Sequence, residues 1–165
     1  MKRTHLLLVL LLLFFMGSMA CKTDNLTPDE QPIKADSTGF VNNPVNDTSA
    51  KRLRIKIGSH TYTATLQNNA TVTAFKAKLP LTLSMKELNR NEKFAELPTN
   101  LPTNAANPRT IQAGDLLLYG TNTLVLFYES FQTSYSYTRL GRVDNPEGLV
   151  TALGSGNVTV TFELE

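Results

Sequence analysis

Four segments of the chain alternate apolar and polar residues with a period of two. They cover residues 52–57, 61–66, 81–85 and 158–164. Such alternation is typical of β-strands that bury one face. Because the dipeptide Gly58-Ser59 favours a tight turn, we expect the first two segments to form a β-hairpin.

The period changes after the asparagine pair at residues 68–69. Val72, Phe75 and Leu79 are separated by three and four residues, which predicts one face of a short helix. An asparagine before this segment can cap the first free amide groups of the helix. Pro80 restricts the residue before it to extended conformations, so we expect the helix to end there.

The second half of the chain predicts further strands and one more helical turn. The strand segments are 92–97 (the weakest pattern), 116–119, 124–128 and 135–143, and the helical turn lies within 147–153. Residues 98–114 contain no periodic element, which is typical of a long functional or mobile loop. Closing about eight short strands into a barrel leaves none of them with an exposed edge. We therefore predict a mainly β fold, a closed eight-stranded barrel with one or two short helices.

The N-terminus has the pattern of an export signal. Two basic residues precede an apolar run at 6–16, and small residues follow just before Cys21, the single cysteine of the chain. The segment Ser18-Met19-Ala20-Cys21 resembles the lipobox of bacterial lipoproteins. That resemblance implies cleavage before Cys21, diacylglycerol on its sulfur and, because Lys22 is not an aspartate, an address at the outer membrane. The alternative is ordinary signal cleavage that leaves Cys21 as a free thiol.

Composition divides the chain into three parts and narrows the classes of function. We predict a lipoprotein signal peptide at 1–20, an acylated cysteine with a flexible tether at 21–50, and one folded domain at 51–165. The tether is rich in Pro, Asn, Asp, Thr and Ser and follows no period. The full chain has a net charge of +2, and removal of Lys2 and Arg3 with the signal leaves none. We therefore expect no nucleic acid as a partner.

Several segments of the domain resemble the small bacterial cyclophilin-like domains. They are RIKIGSHTYTATLQNNATV, LPLTLSM, NEKFAELP, AGDLLLYGTNTLVLFY and YTRLGRVD, in the family's order and spacing. The resemblance implies a cyclophilin-like β-barrel with a short helix at one opening, and little about activity. The Phe-His-Arg motif with which cyclophilins isomerise proline peptides does not occur in this sequence.

Candidates for catalysis are scarce. A Ser-His-Asp triad would need His60, and no GxSxG motif surrounds any serine. Glu92 and Glu96 could form a carboxylate pair on one strand face, although exposed surface glutamates are the usual interpretation. We interpret Glu92-Lys93 as part of a structural ion pair at the barrel rim. We expect no metal and no cofactor, and a binding role rather than a catalytic one.

A cluster of aromatic residues with two nearby arginines is the candidate ligand site. Its residues are Tyr119, Phe127, Tyr128, Tyr135, Tyr137, Arg139 and Arg142. Aromatic walls with a few polar tips form ligand grooves, and arginines can clamp a carboxylate or phosphate. The alternatives are a core position for Phe127 and solvent-facing arginines.

Three functions remain open at this point. The first is a lipid-anchored, non-catalytic binding or accessory module of the cell envelope, attached to a bacterial membrane and binding peptides or envelope proteins. The second is a divergent peptidyl-prolyl isomerase or foldase for exported proteins, with its groove between the aromatic strands and the 98–114 loop. The third is a structural subunit of an envelope complex.

Overall fold

The computed structural model describes residues 51–165. The expectations for the signal, the lipobox, Cys21 and the tether therefore lie outside the described residues. The described part contains β1 (Arg52–Ile57), β2 (His60–Leu66), α1 (Ala70–Lys76), β3 (Leu81–Leu88), β4 (Glu92–Glu96), β5 (Thr110–Ile111), β6 (Asp115–Tyr119), β7 (Thr123–Phe127), β8 (Phe131–Gln132), β9 (Thr138–Val143), α2 (Leu149–Leu153) and β10 (Val158–Leu164).

Eight of these strands form a closed antiparallel barrel, as the alternation predicted. Their order around the barrel is β1-β10-β3-β4-β7-β6-β9-β2. The predicted hairpin of β1 and β2 is confirmed, with Ile57 paired to His60 beside the turn. The remaining two strands, β5 and β8, form a separate two-stranded ribbon. No helix in 51–165 has the length and apolar character needed to span a membrane.

The strands β6 and β7 are buried on both faces, which explains their continuous apolar sequences. Leu124 and Leu126 of β7 belong to the core inside the barrel, whereas Val125 and Phe127 belong to a second cluster outside it. Ile111 of β5 contributes to that outer cluster. The long loop and the ribbon thus form an outer layer over one side of the barrel.

The helix α1 forms where the period changed and is capped as predicted. The side chain of Asn69 accepts a hydrogen bond from the main-chain N–H of Val72 at 2.9 Å. Phe75 of α1 packs edge-to-face against Phe162 of β10, with ring centroids 6.2 Å apart. The helix ends at Lys76, so Leu79 lies beyond it and still belongs to the barrel core.

Two details of the second half differ from the sequence prediction. The strand predicted over 135–143 begins only at Thr138. The loop 98–114 contains β5, and Ala106 forms an isolated bridge with Tyr137. Backbone pairing with partners distant in sequence, rather than a local pattern, organises this segment.

Gly141 lies beside an irregularity in β9, but its role is steric. The register between β6 and β9 shifts so that Leu116 faces Gly141 and Leu117 faces Arg139. The backbone of Gly141 is not in the left-handed region, and a Cβ there would lie 2.5 Å from the carbonyl oxygen of Thr65. Glycine is therefore needed for the close approach of β2 rather than for a positive φ.

Candidate functional site

An open groove of about 400 Å³ lies on the outer face of the barrel, beside the outer layer, and residues of β4, β6 and β7 contribute to its lining. We call it the outer groove. It is lined by Leu88, Asn89, Asn91, Glu92, Phe94, Tyr119, Thr123, Val125, Phe131, Tyr135 and Tyr137.

A chain of aromatic rings forms the wall and floor of the outer groove. The ring of Tyr119 lies 6.1 Å from Tyr135 and 5.6 Å from Tyr137, between centroids. Below them, Phe127 lies 5.6 Å from Tyr137 and 5.7 Å from Phe131. Such tilted and perpendicular contacts are favourable between aromatic rings, so the rings hold one another in place before any ligand arrives.

The upper rings are open to solvent, whereas the floor is closed. Tyr119 is 46% exposed and Tyr135 is 61% exposed. Together with Leu88 they make up three of the four exposed large apolar side chains in residues 51–165; the fourth is Val150 of α2. Concentration of exposed apolar surface in one concave place is typical of a binding site.

A tight turn between β3 and β4 sets which side chains enter the groove. Asn89 and Arg90 have φ angles of 54° and 59°, and the turn fixes Leu88 opposite Glu92. Two successive left-handed residues are typical of a type I′ hairpin turn. Because side chains alternate along a strand, Glu92 faces outward and Lys93 faces the barrel interior.

Glu92 is a largely buried residue whose carboxyl group has no partner in the described part of the chain. The residue is only 9% exposed, and its side chain forms no hydrogen bond or ion pair within 51–165. Burial, together with the nearby Glu87 carboxylate, raises the pKa of Glu92 to about 7. The interpretation of Glu92 as an ordinary exposed glutamate is therefore wrong, whereas Glu96 is exposed and does not line the groove.

Asn91, next to Glu92, lines the outer groove and has a buried, unpaired acceptor. Its main-chain carbonyl accepts the N–H of Tyr128 at 2.9 Å, but its side-chain Oδ1 is buried and without a hydrogen-bond partner. No lysine, arginine or histidine stands among the described residues that line the groove. The groove therefore presents acceptors and aromatic faces, and its one charged group is acidic.

Lys93 forms the ion pair that was expected at the barrel rim, but its partner is Glu87 and Glu92 takes no part in it. Lys93 is completely buried and forms an ion pair with Glu87, and its Nζ donates to the carbonyl oxygens of Gly154 at 2.8 Å and Gly156 at 2.6 Å. Burial would raise the pKa of Glu87, but hydrogen bonds from Lys93 and Tyr128 outweigh it and hold that pKa below its usual value.

Two of the aromatic residues singled out in the sequence lie below or apart from the groove surface. Tyr128 belongs to the barrel core and its hydroxyl donates to Glu87, at 2.8 Å from Oε1. Burial and this hydrogen bond raise the pKa of Tyr128 above its ordinary value. Phe127 is fully buried under Tyr137. Of the seven predicted site residues, the structure brings Tyr119, Tyr135 and Tyr137 together as groove-lining side chains.

The two arginines of the predicted site lie outside the outer groove. Arg139 and Arg142 approach one carboxylate oxygen of the buried Asp115, at 3.7 and 4.0 Å. Arg139 also borders a neighbouring cavity of about 240 Å³, together with Asn69 and Asn104. One carboxylate thus lies near two arginines whose side chains are about half exposed.

The sequence reasoning missed Glu92 and Asn91 as groove residues. Glu92 shares a strand face with Phe94, and an acid next to an aromatic residue on an outward face was the available signal. Nothing local indicated that Asn91 would be buried with a free acceptor. Within 51–165, no three His, Cys, Asp or Glu side chains gather as metal ligands.

The fold and groove together define a closed β-barrel with a solvent-open aromatic site on its outer wall. A family model described as the cyclophilin-like family matches residues 55–163, and the chain belongs to that family. Among solved structures, it is similar to the solution structure of the hypothetical protein AF2241 from Archaeoglobus fulgidus. That similarity has 18% identity and a TM-score of 0.49 over 70% of this chain and 95% of that one. No curated protein matches the chain.

Proposed function

We propose that this protein is a non-catalytic binding module whose outer groove takes an extended peptide segment of an exported or envelope protein. The observation that carries the proposal is the groove itself, with Tyr119 and Tyr135 half exposed beside a closed aromatic floor. Rings that stay in water do not contribute the favourable free energy of burying apolar surface. A ligand that covers these rings buries their apolar surface, and that free energy favours binding.

The shape and chemistry of the groove favour a peptide as its occupant. Aromatic-lined grooves recognise extended proline-rich segments, whose preformed conformation lowers the entropy lost on binding. A volume of about 400 Å³ is at the small end for ligand sites, which suits a short segment held by a few side chains.

The composition of the groove favours binding over catalysis. Its one ordinary acid-base group is Glu92, and no nucleophile with an activating base accompanies it among the described lining residues. The alternative, a peptidyl-prolyl isomerase, would need a cationic donor to polarise the proline amide. No arginine or lysine stands among the described residues that line the groove, and Arg139 and Arg142, predicted as a carboxylate or phosphate clamp, lie near Asp115.

We also propose that the module is held at a bacterial membrane, with the outer membrane as its address. This part rests on the sequence alone, on the lipobox-like segment that ends in Cys21. Acyl chains on Cys21 would anchor the protein, since each buried methylene contributes about 0.8 kcal/mol. The tether at 21–50 would let the domain reach segments of neighbouring proteins.

Tyrosine fluorescence and NMR can test peptide binding directly. The chain has no tryptophan and five tyrosines, three of which line the outer groove, so its intrinsic fluorescence reports on that site. We expect capped proline-containing peptides to change this fluorescence in the full chain. Tyr135→Ala should weaken binding, whereas Val150→Ala, an exposed apolar residue outside the groove, should leave it unchanged.

The same titration separates the alternatives. Exchange spectra of the proline peptide should show cis-trans interconversion at the uncatalysed rate of tens of seconds. Faster exchange that is lost in Tyr135→Ala would make the groove an isomerase site. Absence of binding across the peptide set would overturn the peptide-binding proposal.

A further inference from the structure

Glu92 is the feature of the outer groove that peptide binding alone does not explain. Removing a carboxyl group from water is costly unless hydrogen bonds or opposite charges replace the water. The Glu92 side chain has no hydrogen bond and no opposite charge as a partner within residues 51–165. Its neighbour Lys93, on the inner face of the barrel wall, has both. A partner supplied from outside the described chain would resolve this imbalance.

The charges around Glu92 do not compensate it. On β3, Glu87 is acidic and already bound to Lys93. Glu129, after β7, adds a further acidic group near the Tyr128 side of this region. The titratable groups on the remaining walls are the phenols of Tyr119, Tyr135 and Tyr137, and none of them can supply a positive charge.

The aromatic walls of the groove also favour a cationic ligand. The face of an aromatic ring carries a partial negative charge and attracts cations, more strongly when water is excluded. Phe94, Tyr119, Tyr135 and Tyr137 line the groove with Glu92. An ammonium group has three donors, and a guanidinium has five. Both fit a site that offers a carboxylate and ring faces.

We propose that the outer groove selects peptides carrying a lysine or arginine side chain, whose cation binds Glu92 while its aliphatic stem lies along the aromatic wall. The inference rests on the proposed function, since it names the chemical class of peptide that this groove takes. Long basic side chains bury their methylene stems on apolar surface while the charged head finds a polar group. The groove provides both within one site.

A calorimetric titration of the full chain with matched probes tests the proposal. The probes are a capped hexapeptide with a lysine beside a proline among alanines, its norleucine analogue, and n-butylammonium chloride. Near pH 8 we expect the lysine peptide to bind about tenfold or more tightly than the norleucine peptide, as a hydrogen bond to a charged group allows. Near pH 5.5 the preference should shrink, because protonation of Glu92 removes the charge.

Two variants test whether Glu92 causes the preference for the lysine peptide. Glu92→Gln keeps the shape of the side chain and should abolish the preference for lysine over norleucine. Glu96→Gln, on the same strand but exposed and outside the groove, should leave it intact. The pH dependence of the unmodified protein is an independent readout in case Glu92→Gln disturbs folding.

Each remaining outcome has a distinct meaning. Equal binding of lysine and norleucine peptides at both pH values overturns the cation preference and leaves the proposed peptide module standing. Binding of n-butylammonium as tightly as the lysine peptide shows a site for small amines and overturns its assignment to peptides. Binding of none of the probes overturns both proposals.

Discussion

Glu92 and Lys93 are neighbours on one strand, yet their side chains lie on opposite faces of the barrel wall. Lys93 points inward and forms an ion pair with Glu87, while Glu92 faces the outer groove without a partner in the described chain. The strand period of two separates them. One dipeptide therefore provides both a buried structural network and the single formal charge of the candidate binding site.

We expect the stability of the domain to fall as the pH rises through about 7, because of Glu92. The folded state raises the pKa of Glu92 from 4.5 to about 7, so it favours the protonated form. Its stabilising contribution is complete below pH 4.5, the ordinary value, and is lost as the pH passes the folded-state pKa. Glu92→Gln should therefore be more stable than the unmodified protein near pH 8, by up to roughly 3 kcal/mol.

Urea unfolding at several pH values measures this difference. The two proteins should converge in acid, where Glu92 is protonated in both the folded and unfolded states. Glu87 contributes with the opposite sign, because its lowered pKa favours the folded state above its unfolded pKa, and it is common to both proteins. Parallel stability curves across the whole pH range would contradict the assignment to Glu92.

Lys93→Met should destabilise the domain by about 3–5 kcal/mol. The change leaves Glu87 without its cation and the carbonyl oxygens of Gly154 and Gly156 without a donor. Breaking a buried ion pair costs more than replacing the whole pair by apolar residues. Lys93→Met with Glu87→Leu should recover part of the loss, as measured by the urea midpoint. Strictly additive losses would show that the two side chains are not coupled.

Gly141→Ala should destabilise the barrel by about 1–3 kcal/mol, and Gly141→Val by more. The added Cβ would lie 2.5 Å from the carbonyl oxygen of Thr65 and 3.2 Å from the Cα of Leu66, so β2 and β9 must move apart. Gly156→Ala is the matched control, because a Cβ there meets nothing within 4 Å. Thermal unfolding of both variants tests the argument, and equal melting temperatures would exclude close packing as the role of Gly141.

Cys21→Ser should release the protein from membranes. The prediction comes from the lipobox-like sequence around Cys21, which lies outside the described residues. Membrane fractionation compares the variant with the unmodified chain, and mass spectrometry of the latter should find lipid on the cysteine sulfur. A variant that stays with the membrane, together with an unmodified chain that carries no lipid, would refute the anchor.

Local sequence patterns were sufficient for most of the barrel strands and for the start of the first helix, but not for the ribbon strands β5 and β8. The alternation of Leu53, Ile55 and Ile57 predicted a strand with one buried face, and all three side chains are buried in the barrel core. The cap of α1 was also a local matter, because Asn69 bonds to an N–H only three residues away. Predictions of this kind hold because the interacting residues are close together in the sequence.

The candidate site depended on contacts that the sequence pattern does not encode. Tyr119, Tyr135 and Tyr137 were recognisable as an aromatic cluster, but only the packing of the outer layer set their rings 5.6 and 6.1 Å apart. The same layer buried Phe127 beneath them, and the barrel interior took Tyr128. Side chains of one type were thus distributed among three environments.

By itself, the sequence determined the barrel and most of its strands, because hydrophobic period and turn residues act locally. The export signal at the N-terminus stays a prediction from the sequence. The tertiary structure alone decided that Lys93 pairs with Glu87 and that Glu92 stays buried and unpaired at the groove. Burial and charge pairing depend on which distant segments come together. Those are the quantities that define the candidate site.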